Sequence, residues 1–76
     1  MARIQNIEMD SGDGRLHPTL VNARVKIFGD GGEGPVVQID TFGSDERQEK
    51  GKLSQTIQFD RPAGLQLLAI LQKAYG

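Results

Sequence analysis

Leu20 to Phe28 reads as a strand, and from Val21 to Ile27 it alternates without a break. Val21, Ala23, Val25 and Ile27 fall on one side of an extended backbone, and Asn22, Arg24 and Lys26 on the other. A period of two is what a strand with one wet face requires. The pattern recurs twice. In 36–42, Val37, Ile39 and Thr41 share a side. In 52–59, Leu53, Gln55, Ile57 and Phe59 share one side and Ser54, Thr56 and Gln58 the other. Gln55 is the exception, a polar residue on the side assigned to the core. Strands joined by loops rather than by helices argue for antiparallel pairing, because parallel neighbours need long crossovers.

The rest of the chain fits around these three strands. Ile4 to Met9 is a candidate first strand, but its alternation is weak, and the pattern leaves open whether residues 1–18 join the sheet. Asp10 to Pro18 reads as a loop. Gly29 to Pro35 holds four glycines and predicts a hairpin loop longer than a two-residue turn. Gly43 to Gly51 is a charged connection. Asp60 is placed to cap a helix, and Pro62 suits a first turn, where no N–H is needed. Beyond it Ala63, Leu67, Ile70, Leu71 and Ala74 form one helical stripe, widened by Leu68 and Tyr75. The predicted fold is α+β: a four-stranded antiparallel sheet with one C-terminal helix packed on one face, as a single domain over 1–76.

Size narrows the options further. The chain has 76 residues and no cysteine, so a thin core has no disulfide or thiolate metal site to reinforce it. Packing or self-association must supply the stability. Nine basic residues face ten acidic ones, so nucleic-acid binding would need a local patch rather than net charge. No stretch is long and apolar enough for a bilayer, and the first residues lack the apolar core of a secretory signal. The expected location is cytoplasmic, with no membrane partner.

Motifs for catalysis are weak. Asp10-Ser11-Gly12-Asp13-Gly14 is similar to a calcium loop but lacks the late glutamate, and reads better as a glycine turn. Gly29 to Gly34 has the glycines of a phosphate cradle without its lysine or helix, and carries Asp30 and Glu33 instead. His17 has no recognisable orienting partner. Ser11, Ser44 and Ser54 lie in no nucleophile elbow. Asp45 and Glu46 lie among Arg47, Glu49 and Lys50, as in a solvated loop. The expectation is a non-catalytic binding module with no cofactor and no metal.

The polar side of the strands is the most informative feature. Alternation brings Arg24 and Lys26 near Gln38 and Asp40, with Thr56 and Gln58 on the same face and Arg47, Lys50 and Lys52 at its edge. Cations there can track phosphates, and amides and hydroxyls can meet bases or peptide groups. The candidate partner-binding residues are Arg24, Lys26, Gln38, Arg47, Lys50, Lys52, Thr56 and Gln58. The competing reading is an ordinary solvated face. Parity also places Phe28 and Phe42 on this outer side, where exposed aromatics would favour stacking.

The stretch Val37-Gln-Ile-Asp-Thr-Phe42, a charged loop, Gly51-Lys-Leu-Ser-Gln-Thr-Ile-Gln-Phe-Asp60 and a helix resembles the PC4-like single-stranded-DNA-binding family of transcriptional coactivators. That resemblance implies a curved antiparallel sheet, one helix and a dimer, with Arg24, Lys26, Lys50 and Lys52 as contacts to single-stranded nucleic acid. Independently, a broad helical arc with Leu65 beyond it predicts a homodimer. The alternative function is a protein-interaction module or inhibitor of phage or mobile-element type. It would cap a protein partner through a strand edge or the 44–52 loop.

Overall fold

A computed structural model describes residues 1–29, 32, 34–43 and 53–76, with backbone only at 53 and 54. It contains strands β1 (Ala2–Ile4), β2 (Asn22–Gly29), β3 (Pro35–Phe42) and β4 (Leu53–Phe59), followed by helix α1 (Arg61–Tyr75). The architecture is α+β, one sheet in the order β1-β4-β3-β2 with the C-terminal helix against it.

The β2–β3 and β3–β4 pairs are antiparallel, as alternation and short connections predict. Strand β1 departs from expectation twice. It occupies Ala2–Ile4 rather than Ile4 to Met9, and it pairs parallel to β4. Residues 5–21 explain the parallel pairing, because a connection of that length can carry the chain from one sheet edge to the other. Gln66 explains where the strand stops. The Ile7 N–H donates to Gln66 Oε1 at 3.0 Å, and Gln66 Nε2 donates to Asn6 Oδ1 at 3.0 Å. The chain after Ile4 thus exchanges ladder bonds for bonds to the helix.

Register fixes which residues stand in line. Val25, Ile39, Ile57 and Ala2 form one row across four strands, and Ile27, Val37, Phe59 and Ile4 form the next on the same face. The opposite face carries Lys26, Gln38, Gln58 and Arg3 in one row and Arg24, Asp40 and Thr56 in another. A register shift follows, from Thr41 opposite Gln55 to Phe42 opposite Leu53, so parity counted back from Phe59 stops at Gln55.

The helix begins where Asp60 leaves the strand in extended conformation. Its Oδ1 accepts from the Ala63 N–H at 3.2 Å, and its carbonyl accepts from the Gly64 N–H at 2.8 Å. At the far end Gly76, at φ +91°, donates its N–H to the Gln72 carbonyl at 2.9 Å. Ala63 is wholly buried and Leu67 and Ile70 are half-buried, but Leu71 and Ala74 of the predicted stripe are exposed.

The cause is coverage. Helix α1 contacts β3 and β4. A helix is about 10 Å across, whereas four strands spaced by about 4.8 Å make a sheet roughly twice as wide. Ile39 lines the cleft beneath the helix and Ile57 is half-buried, but Val25, expected under the helix, is 60% exposed. Its neighbour Ile27 is 69% exposed. Among the described residues the buried apolar side chains are Val36, Phe59 and Ala63. None of the described helices is long and apolar enough to cross a membrane.

Candidate binding face

The polar face is organised around one carboxylate. Asp40 lies mid-strand in β3, which is flanked by strands on both sides, and is only 6% exposed. A carboxylate so placed needs partners, and three side chains provide them. Thr56 Oγ1 donates to Asp40 Oδ1 at 2.8 Å. Gln38 Nε2 donates to Oδ1 at 2.9 Å and to Oδ2 at 3.2 Å. Lys26 Nζ stands 3.9 Å from Oδ2 with its own side chain 61% exposed. Gln58 Nε2 then donates to Gln38 Oε1 at 2.8 Å, which extends the chain of bonds across to β4.

These bonds follow from register. Lys26, Gln38 and Gln58 are direct cross-strand neighbours, and Asp40 is two residues along β3 from Gln38, hence on the same side of the pleat. Gln38 bridges the two rows because its carbonyl faces β4 while its amide turns along β3 to Asp40. The arrangement gives both Asp40 oxygens hydrogen-bond partners within the sheet and ties the two glutamine side chains together.

Aromatic residues flank the network. The Arg24 guanidinium lies 4.8 Å from the Phe42 ring centroid, within cation–π range. Phe28 pairs with Val36 on the same face and is 38% exposed.

Five of the sequence-derived candidates therefore share one face: Arg24, Lys26, Gln38, Thr56 and Gln58. Thr56 has a supporting place among them. It is 4% exposed and gives its hydroxyl hydrogen to Asp40, so it holds the face from below. Arg47, Lys50 and Lys52 lie outside the described residues, as do Asp45 and Glu46. Sequence reading missed Arg3, which stands opposite Gln58 in β1 and ends the row begun by Lys26. No periodicity over three residues could have revealed it; only the parallel pairing does.

Asp30 and Glu33 of the glycine-rich motif, and Ser44, also lie outside the described residues, whereas the Asp10 and His17 motifs form local turns. Asp10 Oδ1 accepts from the Gly12 N–H at 2.9 Å, an Asx turn. His17 Nδ1 accepts from the Thr19 N–H at 3.1 Å. Among the described residues no cluster of three or more histidine or acidic side chains is arranged to hold a metal ion.

The opposite face is apolar and open. A cleft between sheet and helix is lined by Val37, Ile39 and Phe59 from below and Leu67, Leu68 and Leu71 from above. Comparison of the chain with protein-family models, curated proteins and solved structures finds no match.

Proposed function

We propose that this chain is a non-catalytic binding module that takes single-stranded nucleic acid across its polar sheet face. The observation that carries the reading is the transverse row Lys26–Gln38–Gln58–Arg3, with a cation at each end and two amides between. Cations at such ends suit phosphates, and amides suit base edges or sugar hydroxyls. Gln58 is half-buried and spends one amide hydrogen on Gln38, which leaves it further donor and acceptor capacity. Asp40 presents little bare negative charge, because Gln38, Thr56 and Lys26 already surround it. Phe28 offers a ring for stacking, and the Arg24–Phe42 pair offers a guanidinium plane.

Fluorescence anisotropy with a short labelled oligothymidine tests the reading. Binding should weaken steeply with added salt, and Arg3→Ala or Lys26→Ala should each reduce the salt slope by about 0.7. Binding that ignores salt, or no binding at low salt, would reject it.

One observation favours a second reading, a protein-interaction module. Strand β2 lies at a sheet edge with all eight of its residues exposed, and an open edge can accept a partner's strand. A pull-down returning one stoichiometric protein and no nucleic acid would select that reading.

A further inference from the structure

We infer that the apolar sheet face is completed by a second copy of this chain, whose helix lies over the Val25–Ile27 strip that the chain's own helix leaves bare. The inference is independent of what the polar face binds.

Surface area motivates it. The chain exposes 6621 Å². A compact monomer of its 8.3 kDa mass would expose about 4,600 Å², an excess on the order of 2,000 Å². The radius of gyration, 14.6 Å, likewise exceeds the roughly 11 Å of a compact domain this size. The extended 5–21 segment accounts for some of this surplus. The apolar face supplies surface of a different kind: Val25 and Ile27 on β2, and Leu65, Leu68 and Leu71 on α1, are all exposed. A standard interface removes about 800 Å² from each partner, well within the excess.

Shape selects the occupant. The sheet has width for two helices on this face, and the chain supplies one, over β3 and β4. The helix also carries leucines that its own sheet covers only in part, Leu65, Leu68 and Leu71. Each copy thus has an unfilled strip and an unburied ridge. A two-fold axis lets the ridge of each chain fill the strip of the other, so both defects are met by one self-complementary contact. A small domain with three buried apolar residues among those described gains from such a partner the core it lacks.

Edge-to-edge pairing of two β2 strands serves less well. In the two-fold antiparallel registers that keep polar face beside polar face and use most of the strand, Arg24 faces Lys26 of the other copy, or Lys26 faces itself, and like charges directly opposite destabilise a ladder.

Sedimentation equilibrium and charge-swap variants test the inference. The unmodified chain should sediment at twice 8.3 kDa at micromolar concentration, and its melting temperature should rise with concentration. Ile27→Lys replaces a side chain that is 69% exposed, and Leu68→Glu one that is half exposed at the mouth of the cleft, so circular dichroism of each variant must first show the native fold retained. Each alone should weaken self-association on the order of a hundredfold, the cost of taking an unpaired charge out of water. Mixing the two variants should restore the double mass, with lysine set against glutamate. A folded monomer at all concentrations would overturn the inference and leave the face to a different protein. A dimer indifferent to both substitutions would overturn it in favour of another interface, such as the β2 edge. Variants that dissociate singly but never re-pair on mixing would overturn the reciprocal seating of helix on strip.

Discussion

Asp40→Ala is the sharpest test of the network that holds the polar face. The substitution removes the acceptor of three groups with different exposures, and the exposures set the cost. Thr56 is buried, so its hydroxyl loses a 2.8 Å partner with little access to water; such an orphan costs about 1–3 kcal/mol. Gln38 is half-buried, so its amide can turn toward water, adding less than about 1 kcal/mol. Lys26 is mostly exposed at 3.9 Å and adds at most a few tenths of a kcal/mol. The expected loss is about 2–3 kcal/mol. Thr56→Val alone keeps the shape and forfeits one bond to a charged acceptor, about 1.5 kcal/mol. In the double variant no hydroxyl is left stranded, so it should be scarcely worse than Asp40→Ala, a coupling near 1.5 kcal/mol. Urea denaturation at one fixed chain concentration measures all four corners of the cycle. Losses that add to within about 0.5 kcal/mol would show that Thr56 and Asp40 do not share their energetics, and the account of the face would fail.

Three further outcomes are expected. Asp60→Ala should lose about 1 kcal/mol with the capping bond to Ala63, lowering the calorimetric melting temperature by several degrees, while Asp60→Asn should retain most of it. Gly34→Ala should cost about 1–2 kcal/mol in the urea midpoint through backbone strain alone, since Gly34 has φ +101° and a Cβ there would meet nothing within 4 Å. If two chains pack by their apolar faces as proposed, their polar faces turn outward, and titration calorimetry with an oligonucleotide too short to reach round the pair should give one per chain.

The strands β2, β3 and β4 and the helix were legible because their side-chain periods are long and regular. Val25, Ile39 and Ile57 were correctly grouped on one face, since parity along a strand survives whatever packs on it. What lies above that face was not legible. Alternation says that Val25 points away from Arg24, but not whether a helix reaches it, and α1 stops short at β3 and β4. The first strand was misplaced because its three residues are too few to display a period, and Gln66 draws Asn6 and Ile7 out of the sheet. For the same reason Arg3 escaped the candidate set. The grouping of Arg24, Lys26, Gln38 and Gln58 followed from parity alone. The role of Thr56 did not, because only cross-strand register sets its hydroxyl against Asp40.

The two faces of the sheet depend on each other through β2. This strand supplies Arg24 and Lys26 to the polar face, yet β3 is its one neighbour in the sheet, and its own helix gives it no cover. An edge strand held on one side, with Val25 and Ile27 in water, is the element most ready to open locally. Its cations are positioned for a ligand only while the strand stays docked. A second chain seated on Val25 and Ile27 would hold it there, so assembly and ligand binding would favour the same arrangement of β2. Linkage then requires reciprocity: whatever factor dimerisation adds to affinity at Lys26, a bound ligand must return to the dimer. The surplus of apolar residues on one side of β2 thus has a consequence on the other. In that assembly the positions of Arg24 and Lys26 would be a property of the pair of chains rather than of either one.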